Sequence, residues 1–85
     1  MLLNRLNKDI VKAVKNHQTE EKKILRMLKS ELIADTKAKQ PRGEHAVLKS
    51  YRKRLGKLLD LMMEHGADAR AEKIRFEIQI VDRYL

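Results

Sequence analysis

The chain contains no cysteine, no tryptophan, one proline and three glycines among its 85 residues. Without cysteine it can form neither a disulfide nor a thiolate metal site. Three glycines are too few for a loop that cradles phosphate through backbone N–H groups. The only aromatic residues are Tyr51, Phe76 and Tyr84. This scarcity argues against a protein that binds single-stranded nucleic acid by stacking bases on aromatic rings.

Long apolar runs are also absent, because charged residues recur every few positions from Arg5 onward. No run approaches the roughly 20 apolar residues of a membrane span, and the N-terminus lacks the apolar core of a signal peptide. We therefore expect a cytoplasmic protein, which the lack of cysteine also suits. The length predicts a single helical domain, residues 1–85, with a modest core and marginal stability.

Positive charge is what the chain has in excess. It contains 20 Lys and Arg against 12 Asp and Glu, a net charge of +8. Residues 1–43 carry 11 bases and 5 acids, a net +6, whereas residues 44–85 carry 9 bases and 7 acids, a net +2. A basic balance favours polyanionic partners: nucleic acid, an acidic protein or an anionic membrane surface. Composition does not choose among these three.

Apolar residues recur with the 3.6-residue period of an α-helix, and no stretch has the alternation of a strand. The predicted fold is all-α, a small four-helix bundle without strands, with helices at roughly 2–16, 20–39, 44–65 and 68–85. Thr19 and Asp68 are predicted N-caps. Pro41-Arg42-Gly43 marks the clearest turn, and Gly66 is expected in the left-handed position that ends the third helix.

Each helix carries an apolar face that we expect to form the core. On the first three helices these faces hold Leu2, Leu3, Leu6, Ile10, Ala13 and Val14; then Ile24, Leu25, Leu28 and Leu32, flanked by Met27; then Val47, Leu48, Tyr51, Leu55, Leu58, Leu59 and Met62. The fourth helix carries two apolar stripes, which indicates packing on two sides. The first stripe holds Ala67, Ala71, Ile74, Ile78, Val81 and Leu85, and the second holds Ala69, Phe76, Ile80 and Tyr84.

The second stripe of the last helix predicts cover from outside the chain. Phe76, Ile80 and Tyr84 recur every fourth residue on the side opposite the first stripe. In water they would form a contiguous apolar ridge, which monomeric soluble proteins usually avoid. A second copy of the chain, in a two-fold homodimer, is the simplest cover. The alternative is that the fourth helix is central and its neighbours enclose it on both sides.

No group of residues has the spacing that catalysis or metal binding requires. His17, His45 and His65 each lie near a predicted helix end without further ligands at metal spacing. Ser30 and Ser50 lie within helices and have no glycine-rich turn beside them. A P-loop, a dinucleotide fingerprint and an HExxH motif are all absent. We therefore expect a binding protein and not an enzyme, with no cofactor and no metal.

Four short stretches follow one another in the order of a known family. They read LNRLNKDIVKAV at 3–14, LRMLK at 25–29, YRKR at 51–54 and ADARAEKIRFEIQIVDRYL at 67–85. Together they resemble the N-terminal helical part of the GatB/YqeY family. In the last stretch the matching positions are Ala71, Glu72, Glu77, Tyr84 and Leu85. The chain departs from the family at Ala67, where an arginine usually follows the glycine.

The resemblance implies an all-helical fold and a role in RNA binding. In that family the domain forms the tail of the B subunit of the tRNA-dependent amidotransferase. The tail helps to hold the tRNA, while the chemistry takes place in other domains. By this resemblance the chain contacts tRNA and has no catalysis of its own.

The predicted function is therefore a binding module for tRNA or another structured RNA, which neutralises phosphates and does not read bases. The candidate RNA-binding residues lie on the outer faces of the first three helices and are Lys8, Lys12, Lys15, Lys22, Arg26, Lys29, Arg52, Lys53 and Lys57. One alternative is a protein-interaction or self-assembly module that uses Phe76, Ile80 and Tyr84. Another is reversible attachment of the first helix to an anionic membrane.

Overall fold

The computed structural model describes residues 2–85, which form four α-helices joined by short connections. The helices are α1 (Leu2–Lys15), α2 (Thr19–Thr36), α3 (Glu44–Glu64) and α4 (Asp68–Asp82). No strand occurs within residues 2–85, and the predicted all-α four-helix fold is confirmed. α1 packs mainly on α2, α3 packs on α4, and α2 also contacts both α3 and α4. Two helical hairpins therefore meet along α2.

All four helices end before the predicted residue, by one residue in α1 and α3 and by three in α2 and α4. α2 ends at Thr36 and not at Lys39, because the N–H of Ala38 bonds to the carbonyl oxygen three residues back, which tightens and closes the last turn. The Asp35 carboxylate then accepts hydrogen bonds from the N–H groups of Arg42 (2.8 Å) and Gly43 (3.0 Å). These bonds fix the predicted Pro41-Arg42-Gly43 turn against the end of α2. The last three residues, 83–85, bond three residues back in the same way, so that α4 ends at Asp82.

The same three-residue turn joins α1 to α2 and α3 to α4. In the second turn Gly66 has the predicted left-handed backbone, with φ of 66°. The N–H of Gly66 (3.1 Å) and the N–H of Ala67 (2.8 Å) bond back to the last turn of α3 in the pattern of a Schellman motif. His17 and Gln18 make the corresponding bonds to α1, at 3.3 and 2.9 Å. His17 also has a positive φ, 56°, although it is not a glycine.

These turns explain why the predicted N-caps are wrong. Thr19 and Asp68 are the first residues of α2 and α4, and the capping positions belong to Gln18 and Ala67. Neither capping residue makes a side-chain hydrogen bond to its helix. The Schellman motif turns the chain so sharply that the residue after it already belongs to the next helix.

Replacing His17 by glycine is expected to stabilise the protein by about 0.5–1 kcal/mol. A β-carbon in the left-handed region costs roughly 1–2 kcal/mol, and the greater freedom of an unfolded glycine offsets part of that gain. Urea unfolding followed by circular dichroism would measure the difference. Asn16→Gly is the matched control in the same turn, because Asn16 has no positive φ, and it should lower stability. A loss of stability in His17→Gly would show that the imidazole makes contacts that outweigh the strain.

The core is formed by the predicted apolar faces, with four exposed exceptions on them. The confirmed residues are Leu6, Ala13, Ile24, Leu25, Leu28, Leu32, Val47, Leu48, Tyr51, Leu55, Ala71, Ile74, Ile78 and Val81, all buried. Leu2, Leu3, Ile10, Leu59 and Met62 are partly buried against them. The prediction is wrong for Val14, Leu58 and Leu85, which are 52%, 42% and 45% exposed, and for the flanking Met27, which is 49% exposed. Val14 and Leu85 lie at the end of α1 and at the C-terminus, whereas Met27 and Leu58 lie within α2 and α3 at the edges of their apolar faces.

The second stripe of α4 is covered mostly by the chain itself. Ile80 is fully buried and Tyr84 is 8% exposed, because α4 packs against α3 on one side and against the other hairpin on the other. The prediction that the stripe needs a second chain to cover it is therefore wrong for these two residues. Phe76 is left 38% exposed, and Ala69 at the start of the stripe is exposed as well. The alternative of a self-assembly module thereby loses most of the surface on which it depended.

Candidate nucleic-acid interface

The carboxylates of the basic half of the chain are all engaged by groups of the fold. The five acids of residues 1–43 have these partners: Asp9 with Tyr84, Glu20 with Lys23 (3.9 Å), Glu21 with Arg83, Glu31 with Arg54 (3.6 Å), and Asp35 with the N–H groups of Arg42 and Gly43. Only the Glu20–Lys23 pair takes its cation from α1 or α2. The other acids bind the opposite hairpin or the loop after α2, and none of them has a Lys or Arg of α1 or α2 within 4.0 Å.

Seven cations on α1 and α2 consequently lack a carboxylate oxygen within 4.0 Å among residues 2–85. One of them, Arg5, donates instead to the Arg83 carbonyl oxygen and lies over the Tyr84 ring. We call the other six the hairpin cations, and they are Lys8, Lys12, Lys15, Lys22, Arg26 and Lys29. On each helix three of them follow the spacing i, i+4, i+7, which places them on one side of the helix over about 10 Å. Lys22 and Lys29 are half-buried and the other four are exposed. Their charge is available to an external anion.

The three candidate residues on α3 belong to the other hairpin, which contacts α2 where Arg54 pairs with Glu31. α1 reaches α3 only near its start, where the N–H of Leu3 donates to the Glu44 carboxylate (3.2 Å). Lys53 and Lys57 are exposed and have no carboxylate partner in the described part of the chain. The Arg52 guanidinium donates to Asp82 at 2.9 Å, so its charge is already partly neutralised. The structure therefore brings six of the nine predicted residues together on one hairpin.

Two tyrosines join helices through carboxylates: Tyr84 links the two hairpins, and Tyr51 links α3 to α4 within one hairpin. The Tyr84 hydroxyl donates to Asp9 of α1, and the Arg5 guanidinium lies 4.6 Å from the centre of its ring. The Tyr51 hydroxyl donates to Glu77 at 2.7 Å, and Arg54 lies over its ring in the same way. Burial first, and then the hydrogen bond to the carboxylate, raise the pKa of both hydroxyl groups above the ordinary value for tyrosine. Both therefore remain protonated donors, whose role is to hold the helices together.

Sequence reasoning missed these pairs because they join residues far apart in the chain. Asp9 and Tyr84 are separated by 75 positions, and Tyr51 and Glu77 by 26. The only available signal was that Glu77 and Tyr84 match the family pattern of the last stretch. Only the Asp9–Tyr84 pair concerns the interface, because Asp9 lies on α1 with the hairpin cations, whereas Glu77 lies on α4.

The histidines have the surroundings expected of surface residues. His17, His45 and His65 are all exposed. Within residues 2–85 no three His, Asp or Glu side chains are grouped so as to hold a metal ion. No helix in the same range combines the length and apolar character needed to cross a membrane. Comparison of the chain with family models, with curated proteins and with solved structures gave no match.

Proposed function

We propose that the protein is a non-catalytic module that binds structured RNA through the hairpin cations. The observation that carries this proposal is the separation of charge on the α1–α2 hairpin, where the acids are engaged within the fold and six cations are not. No carboxylate of residues 2–85 lies within 4.0 Å of these six cations, which leaves their ammonium and guanidinium groups open to a polyanion. The sequence resemblance to the GatB/YqeY tail makes tRNA the first RNA to test.

The contact is with the phosphate backbone. Lysine is a flexible point charge without the fixed fork of arginine, and five of the six hairpin cations are lysines. Such groups neutralise phosphates and fix the position of a helix without reading its sequence. RNA duplexes are recognised mainly by shape and by backbone contacts, so lysines along two adjacent helices suit them. Lys53 and Lys57 would add contacts only to an RNA large enough to reach the second hairpin.

Binding of tRNA is expected to weaken steeply with salt. If about five phosphates are contacted, the logarithm of the association constant should fall against the logarithm of salt concentration with a slope of roughly −3.5 to −4.5. Fluorescence anisotropy with labelled tRNA between about 50 and 300 mM salt would measure this slope. A neutral polymer of similar size is the control. Equal affinity for tRNA and for the neutral polymer at low salt would disprove the proposal.

The same titration separates RNA binding from attachment to a membrane. Anionic vesicles also present phosphates to basic helices. The proposal predicts that tRNA competes effectively against vesicles that contain phosphatidylserine. Binding to these vesicles together with no binding to any RNA would instead favour membrane attachment through α1.

A further inference from the structure

Three surface hollows meet at the turn between α1 and α2, and the exposed ring of Phe76 lines one of them. This hollow has a volume of about 460 Å³ and is lined by Phe76 of α4, by the turn and first residues of α2 (His17, Thr19 and Glu20) and by Arg83. We call it the Phe76 hollow. It is an open depression of the surface and not an enclosed cavity. A second hollow, which Phe76 also lines, is bounded by Glu20, Glu72 and Lys73.

The Phe76 hollow adjoins two of the hairpin cations. Gln18 and Arg83 line both this hollow and the neighbouring one that contains Lys12. His17 and Thr19 line both this hollow and the one that contains Lys22. An RNA whose phosphates are held by Lys12 and Lys22 therefore lies beside the Phe76 ring.

The groups in the hollow suit a nucleobase better than a phosphate. Phe76 is the only one of the three aromatic residues that is not buried, and an exposed ring face stacks on a base whatever its sequence. Glu20 lies at the edge of the hollow with two-thirds of its side chain exposed. A carboxylate repels phosphate but accepts hydrogen bonds from the N–H groups of a base. The carboxylate at the edge of the hollow thus suits a base inside it, and the neighbouring cations suit phosphates outside it.

We propose that the Phe76 hollow receives one unpaired base of the RNA, stacked on Phe76, while the hairpin cations hold the flanking phosphates. This inference rests on the proposed function and adds a substrate class to it: structured RNA with a bulged, looped or terminal base. A base within a regular duplex is stacked on its neighbours and cannot enter. Guanine is the preferred occupant, because its Watson–Crick edge presents adjacent N–H donors to the Glu20 carboxylate.

The test compares three stem-loop RNAs that share one stem. The first is fully paired, the second carries a single bulged guanosine, and the third has an abasic nucleotide at the bulge. The abasic RNA keeps the bend and the phosphates of the bulge but has no base. We expect the protein to bind the bulged guanosine at least about fivefold more tightly than the abasic bulge, as base–aromatic stacking predicts.

Two variants of Phe76 assign the difference to the ring. Phe76→Ala should bind the guanosine bulge and the abasic bulge equally, and should still bind the paired stem with the original salt slope. Phe76→Tyr keeps an aromatic face and should keep the preference. Circular dichroism of both variants checks that the helices are intact, and Phe76→Tyr provides the test if the alanine variant does not fold.

The outcomes distinguish this inference from the proposed function. Equal binding of all three RNAs by the unaltered protein would overturn the unpaired-base site and leave the phosphate contacts standing. Binding of none of them at low salt would overturn both. A preference for the guanosine bulge that survives Phe76→Ala would place the base elsewhere and would also overturn this site.

Discussion

Leu28→Ala should lower the free energy of unfolding by about 2–5 kcal/mol, the loss seen when a fully buried leucine is truncated. Leu28 is completely inaccessible to solvent in the middle of α2, the helix that contacts all three others. Its removal leaves a cavity at the junction of the two hairpins. An 85-residue chain has a small core, so a loss of this size would unfold a substantial fraction of the molecules at 25 °C. Urea titration followed by the helical circular dichroism signal would measure it.

Leu58→Ala is the matched control for this experiment. The substitution is the same and both leucines occur within helices, but Leu58 is 42% exposed. It should therefore cost clearly less, about 1 kcal/mol, since a large part of its surface is already in water. Equal losses in the two variants would contradict the exposure of the last turns of α3. They would mean that another molecule covers this end of the helix in solution.

Reversing three hairpin cations should reduce the affinity for tRNA by about 100- to 500-fold at ~0.1 M salt. The variant is Lys8→Glu, Lys12→Glu and Arg26→Glu, chosen because all three side chains are exposed and lack an ion-pair partner among residues 2–85. Each phosphate that the variant no longer neutralises makes the salt slope less negative by roughly 0.7–0.9. If the unaltered protein neutralises about five phosphates, the slope of the variant should be only roughly −1.4 to −1.8. Anisotropy titrations over a range of salt concentrations give both quantities.

A second triple variant controls for net charge. Lys37→Glu, Lys39→Glu and Arg70→Glu change exposed cations outside the proposed surface, and both triple variants lower the net charge from +8 to +2. The control should lose much less affinity, because long-range attraction is screened beyond about 10 Å at 0.1 M salt. Equal losses in the two variants would show that the RNA responds to overall charge and has no defined contact surface.

The sequence identifies the basic and the acidic residues of the interface but not the groups that each acid binds. The i, i+4, i+7 spacing of Lys8, Lys12 and Lys15 is a local property, and it places these side chains on the outer face of any helix that buries Leu6. The partner that each acid binds does not depend on nearby residues in the sequence. Asp9 lies next to Lys8 in sequence, yet it is engaged by Tyr84, 75 residues away. Only the way in which the hairpins cross shows that the hairpin cations have no carboxylate of their own helices within 4.0 Å.

The apolar stripes of α4 illustrate the same limit. Periodicity identified two stripes correctly, but it left open whether a second chain or the neighbouring helices cover the second one. The fold decides this, because α4 lies between α3 and the other hairpin and so buries Ile80 and Tyr84. It also decides that Phe76 remains exposed next to the α1–α2 turn.

The sequence by itself determined the four helices, their apolar and basic faces, and the Gly66 turn. Each of these depends on residues within about one or two helical turns of one another, where spacing and backbone preference act directly. The tertiary structure alone decided which part of each face is covered and which carboxylates are engaged. It also decided which cations and which aromatic ring are left to a partner. Those outcomes depend on which helices cross and where, and that is set by contacts between residues far apart along the chain.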